Sequence, residues 1–215
     1  MDARDEILGR LRLRLNRPQR DAEAARRELR DYLERCASGP HPTQHGDLLE
    51  QFCRRAEALS STVEMVATME AAPAAVASYL SGHGLPMTGV CWPQLAGLPW
   101  RQTGLAIEAR AAGDADLVGI TGAFCAIAET GTLMLCSGVA TPATVSLLPE
   151  THVAIVAAAR IVPRMEEAWQ LARAELGELP RAVNFVSGPS RTGDIELTIV
   201  LGAHGPYRVH VVVVG

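Results

Sequence analysis

The segment "HVAIVAAARIV", His152 to Val162, is apolar at almost every position. A strand with one solvated face alternates apolar and polar side chains. This one does not, so it reads as a strand buried on both faces, inside a sheet. Its neighbours carry the same message in shorter pieces. "TVEMVAT" (Thr62–Thr68) is β-branched and alternating, "PMTGV" and "GLAIEAR" are short strands, and "YRVHVVVVG" closes the chain as another. Between them lie helical patterns. "MEAAPAAVASYLSGHG" begins with Pro73 in its first turn and ends at Gly82 or Gly84, and "RMEEAWQLARAELG" turns Met165, Ala168, Trp169, Ala172 and Leu176 to one side before Gly177. Strand, helix, strand is the cadence of an α/β domain.

The first 60 residues have a different texture. Ile7, Leu8, Leu11 and Leu15 stripe an Arg-rich helix, a polar stretch runs from Arg20 to Arg35, and "ASGPHPTQHG" (Ala37–Gly46) is a turn-rich break. A helix then starts at the N-cap Asp47 with Leu48, Leu49, Phe52, Ala56 and Leu59 on one face. The reading is therefore a helical extension over 1–60 and an α/β domain over 61–215. Its Arg-rich helices are solvated or subunit-packing faces, which leaves room for a homo-oligomer.

Composition removes several chemistries. All 20 basic residues are Arg, so a Schiff-base lysine and a Walker A lysine are impossible. The formal net charge of -4 offers nucleic acid no basic face. Five scattered cysteines (Cys36, Cys53, Cys91, Cys125, Cys136) form no C-x-x-C pair, which suits neither a disulfide framework nor an iron–sulfur cluster. The expectation is free thiols in a reducing cytoplasm, with no signal peptide, no bilayer-spanning stretch and no metal held by this chain.

Polar clusters interrupt the apolar strands at three places. In "AETGT", Glu129 is flanked by Ile127, Ala128, Leu133 and Leu135. It reads either as a desolvated nucleophilic or general-base carboxylate, or as a turn glutamate accepting N–H bonds from Thr130, Gly131 and Thr132. In "SGPSRTGDIE", Gly188 allows a sharp turn. Ser190, Arg191 and Thr192 then offer hydroxyls, N–H groups and a guanidinium to an anion, or Arg191 pairs with Asp194 or Glu196 and fixes the loop. In "GAHGPYRVH", His204 is an acid–base candidate or a structural histidine at a strand start. Loops at strand ends are where α/β sheets hold ligands, so one shared cleft is expected.

"DLVGITGAFCAIAETGTLMLCSG", "SLLPETHVAIVAAARIV" and "FVSGPSRTGDIELTIVLGAHGPYRVHVVVVG", in this order, resemble the lactate-utilisation protein C family, the LUD-type domain. Gly193 stands where the family more often has Ala, Ala203 where Val is common, and "VATPAT" lacks a basic residue that many members carry. The resemblance implies a Rossmann-like three-layer α/β/α sandwich, similar to ribose-5-phosphate isomerase and the CoA-transferases. It implies a subunit working with an iron–sulfur subunit and a cysteine-rich subunit in oxidising L-lactate to pyruvate, with the clusters in those partners and no cofactor in this chain. The CoA-transferase relatives use a glutamate before a glycine-containing turn, which makes Glu129 the catalytic candidate by analogy. The expected ligand set is Thr130, Gly131, Thr132, Gly188, Ser190, Arg191, Thr192, Asp194, Glu196 and His204, with Arg191 taking a small anionic metabolite bidentately. The alternative is a stand-alone CoA-transferase or sugar-phosphate isomerase-like enzyme using Glu129.

Overall fold

In the computed structural model the chain divides into two units, Met1–Pro42 and Thr43–Gly215. Residues 3–15, 22–35, 39–41, 46–195 and 198–215 are described; Cys36, Glu196 and most of the expected break over 37–46 lie outside them. The first unit holds α1 (Ala3–Arg14) and α2 (Ala22–Arg35). Among the described residues no helix is long and apolar enough to cross a membrane.

The second unit opens with α3 (Leu48–Ala58), where the Asp47 carboxylate accepts the Glu50 N–H at 2.9 Å and satisfies one orphan donor of the first turn. Then follow β1 (Thr62–Val66), α4 (Ala72–Gly82), β2 (Thr88–Cys91), β3 (Ala106–Ala109), β4 (Val118–Gly122), β5 (Cys125–Ile127), β6 (Thr132–Cys136) and α5 (Thr144–Leu147). After these come β7 (Thr151–Ala157), β8 (Ile161–Val162), α6 (Met165–Leu176), β9 (Val183–Val186), β10 (Arg191–Ile195), β11 (Thr198–Leu201) and β12 (Arg208–Val214). Pro73 sits in the first turn of α4, and Gly177 stops α6 at φ 68°.

Six strands form a parallel sheet in the order β1-β12-β7-β4-β2-β3. Tyr79 of α4 stacks on His210 of β12, with ring centroids 3.9 Å apart, so α4 covers the face that carries His210. The opposite face carries Gly119, and there α5 comes so close that a Cβ on Gly119 would collide with the Val145 carbonyl oxygen. With both faces covered, β7 and β12 are buried along nearly their whole length, as a central parallel strand must be. This is the expected three-layer α/β arrangement. Val76, Leu80, Ile120, Val153 and Val212 are fully buried in its core, each side chain worth roughly 1.5–3 kcal/mol of burial.

Two expectations change. The apolar run His152–Val162 is not one strand: β7 ends at Ala157, a 3-10 turn spans Ala158–Arg160, and β8 belongs to a second, four-stranded sheet ordered β8-β5-β6-β9. The run stays apolar because it is buried in both sheets in succession; α6 covers the second over Cys125, Ile127, Met134, Ala168 and Ala172. The segment after Gly188 is also not a loop. β10 pairs antiparallel with β11 as a two-stranded ribbon, with Arg191 opposite Leu201 and Thr192 opposite Val200.

Candidate ligand-binding crevice

The chain crosses from the parallel sheet to the second sheet twice, and both crossings leave the carboxyl ends of strands. β4 passes through Ala123 and Phe124 into β5; β7 passes through Ala158–Arg160 into β8. Arg160 ties the crossings together, its Nε donating to the Phe124 carbonyl at 2.8 Å and its guanidinium lying 4.7 Å from the Phe124 ring centroid. From β2 the chain continues to β3 on one side, whereas from β4 it continues towards β7 on the other. The gap beyond β2 and β4 is therefore a topological switch point, where open α/β sheets bind ligands.

A crevice of about 430 Å³ opens there. Trp92 and Gln94, just past β2, line one part of it, and Gly122, the last residue of β4, and Phe124, just past it, line another. Cys136, Ser137 and Thr141 supply another side, and Arg160, Glu175 and Glu178 line the crevice as well. The walls are braced. Trp92 donates its Nε1–H to the Pro142 carbonyl at 3.0 Å, Thr141 donates its hydroxyl to the Cys136 carbonyl at 2.8 Å, and Ser137 Oγ accepts the Ala182 N–H at 2.9 Å. The Trp92 indole packs against Gly122, its edge atoms in ordinary van der Waals range, 3.6 Å, of where a Cβ would stand.

Among the described residues Arg160 is the one cationic side chain lining the crevice. Its two terminal nitrogens donate to the Glu175 carboxylate at 2.6 and 2.9 Å, a bidentate pair that holds the Glu175 carboxyl below the usual carboxylate range. The thiols nearby are not nucleophiles at neutral pH: burial pushes Cys125 up to about 12 and raises Cys136 as well.

The polar clusters singled out in the sequence lie elsewhere. Glu129, Thr130 and Gly131 form the turn between β5 and β6, at the end of that hairpin away from Phe124 and Cys136. Glu129 donates its N–H to the Pro163 carbonyl at 3.0 Å, and the Thr130 hydroxyl donates to Thr132, which shares a hydrogen bond with Ser187. Gly131, at φ 65°, abuts the α3 backbone at Arg55 and Ala56; Gly188, at φ 81°, abuts the Leu59 carbonyl. Arg191 reaches the same helix end, donating to the Leu59 carbonyl at 3.0 Å and to Ser60 Oγ at 2.6 Å. The first two clusters thus lie side by side, and both abut the C-terminal end of α3. Asp194 stands on β10, and Glu196 lies outside the described residues.

Ser190 packs against the turn that carries His204. Ser190 donates its N–H to the Pro206 carbonyl at 2.9 Å, and Gly205 lies against the Ser190 side chain. His204 and Arg208 line a separate groove of about 650 Å³ with Glu150 and Tyr207. Thr192 is buried on the ribbon. Among the described residues, none of those expected to bind a ligand lines the crevice at the switch point.

Residues 106–214 match the LUD domain. The chain belongs to the LUD domain family. Lactate utilization protein C of Geobacillus sp. (strain WCH70) is 42% identical over 100 residues, 45% of this chain and 42% of that protein. Lactate utilization protein C 1 of Bacillus mycoides (strain KBAB4) is 47% identical over 103 residues, 46% of this chain and 44% of that protein. The matched stretch thus spans less than half the length of these curated relatives. A solved DUF162 family protein from Deinococcus radiodurans is 27% identical, superposes with a TM-score of 0.61, and covers 81% of this chain and 100% of its own.

Within the LUD match lie Phe124, Cys136, Ser137, Thr141, Arg160 and Glu175; Trp92 and Gln94 precede it. The sequence by itself marks none of the eight as a site residue. One signal is present: Arg160 is the sole charge in an otherwise apolar run, and a charge there needs a partner.

Proposed function

We propose that this LUD chain serves lactate utilisation as a subunit that binds a small anionic metabolite in the crevice beyond β2 and β4. In this reading it works beside an iron–sulfur subunit and a cysteine-rich subunit that carry the electrons. The observation that carries it is Arg160. A guanidinium clamped to a carbonyl and an aromatic ring is a preorganised carboxylate receptor, and it stands at the position where sheets of this topology hold their ligands. The names of the relatives supply the pathway, and the lack of paired cysteines in this chain agrees with redox centres held by partners.

Calorimetric titration of the purified chain with pyruvate and with L-lactate tests the site. Wild type is expected to bind at least one of them at one equivalent, and Arg160→Gln to weaken it by about tenfold or more, the cost of losing a charge-assisted hydrogen-bond pair. Unchanged binding in Arg160→Gln removes the crevice from the reading. The assembly is tested by native co-purification from the host grown on lactate. An iron–sulfur subunit and a cysteine-rich subunit are expected in fixed ratio; recovery of the chain alone contradicts the complex.

A further inference from the structure

We propose that Glu175 holds the place of the ligand's own carboxylate on Arg160, and that a monocarboxylate enters the crevice by exchange with it. This rests on the crevice reading above and adds how the site is filled and what chemistry it accepts. Arg160 and Glu175 differ in how firmly they are held. Arg160 is fixed from two sides, by the Phe124 carbonyl on its Nε and by the Phe124 ring against its plane. Glu175 comes from the last turn of α6, one residue before the exposed Leu176 and two before Gly177, which ends the helix. Its side chain is 42% exposed, whereas that of Arg160 is 31% exposed. The partner that can leave is therefore the carboxylate.

The exchange is balanced group for group. Glu175 places two oxygens on the two terminal nitrogens of one guanidinium. An incoming carboxylate offers the same two acceptors in the same plane, so Arg160 loses no hydrogen bond, and the released Glu175 is solvated in the mouth. Charge narrows the ligand class further. Glu178 also lines the crevice, so with Glu175 still nearby a doubly charged phosphate meets two carboxylates against one guanidinium. A singly charged acid meets the least repulsion.

Glu175→Gln removes the competitor while keeping the side chain's size. Titrated with pyruvate, Glu175→Gln is expected to bind about fivefold tighter than wild type, the scale of a partly exposed ion pair, while Arg160→Gln loses binding. Hydrogen exchange of the Arg173–Leu176 amides in the wild-type chain is expected to quicken when pyruvate is added, because the tether to Arg160 is released. Pyruvate binding that is equal or weaker in Glu175→Gln, with wild-type binding intact, overturns the exchange and leaves the crevice reading standing. Binding of inorganic phosphate tighter than pyruvate overturns the monocarboxylate class. No binding of pyruvate or of L-lactate by wild type or Glu175→Gln, both folded by circular dichroism, overturns the crevice reading and this inference with it.

Discussion

Lowering the pH from 7 to 4 is expected to remove a large part of the folding stability of the α/β unit, because two histidines are buried in its central sheet. His152 on β7 is fully buried; its Nε2 shares a 2.8 Å hydrogen bond with Thr121 Oγ1, and its Nδ1 has no hydrogen-bond partner among the described residues. Protonation would bury a charge and strand a donor, so burial holds the imidazole down to about 4 from its ordinary 6.5. Between those values the unfolded chain binds a proton that the native chain refuses. Stability is therefore full above about pH 6.5 and falls as the pH drops to about 4. The interval is worth roughly 3 kcal/mol for this one residue.

His210 adds a contribution with the same sign. Burial first, then the neighbouring His83, holds it down to about 4. Its Nδ1 is engaged by Thr62 Oγ1 at 2.8 Å, but its Nε2 lies 3.9 Å from the Glu64 carboxylate, which would receive the proton's charge. Urea unfolding at pH 7, 6, 5 and 4.5 measures the slope, and His152→Leu is expected to flatten it. The same slope in the variant would show that His152 is not the group responsible. If the variant does not fold, the imidazole resonances of the wild type decide: His152 is expected to show no titration above pH 5.

Gly131→Ala is expected to destabilise the chain by about 3 kcal/mol, a large fraction of a domain's total. Two penalties coincide at this position. The backbone sits at φ 65°, which an L side chain adopts only with strain. A Cβ would also stand 2.6 Å from the Arg55 carbonyl carbon and closer still to the Ala56 nitrogen, so either α3 or the β5–β6 turn must move. Phe52 and Ala56 of α3 are buried in the main core, and a shift there is felt across it. Gly193 on β10 is the control: nothing lies within 4 Å of a Cβ there, and Gly193→Ala is expected to fall within about 0.5 kcal/mol of wild type. The midpoint of urea denaturation reads both. Equal midpoints for Gly131→Ala and wild type would mean that close packing on α3 is not what requires a glycine in "ETGT".

These two predictions show where polar and glycine-rich motifs lead and where they stop. "ETGT" and "SGPSRT" stand out in the sequence as ligand-cradling patterns, and the structure brings both to one place, the C-terminal end of α3. A glycine that lets a phosphate approach and a glycine that lets a helix backbone approach look identical in one dimension, because each only removes a Cβ. The crevice has the opposite character. Trp92, Ser137, Arg160 and Glu175 stand in none of the polar clusters and come from four separate segments, so no local spacing joins them.

What the amino-acid order determined by itself was local. It placed the N-cap at Asp47, the apolar stripe of α3, the stop at Gly177 and the β-branched strands of a doubly covered sheet, since capping, periodicity and burial patterns act over a few residues. The tertiary structure alone decided the rest. It split the apolar run of His152–Val162 between two sheets, made Arg191–Ile195 a ribbon strand, and created a ligand-sized opening where two chain crossings leave the sheet. The physical reason is that an apolar side chain reports that it is buried but not against what. The partner across the gap is chosen only when all the layers close together.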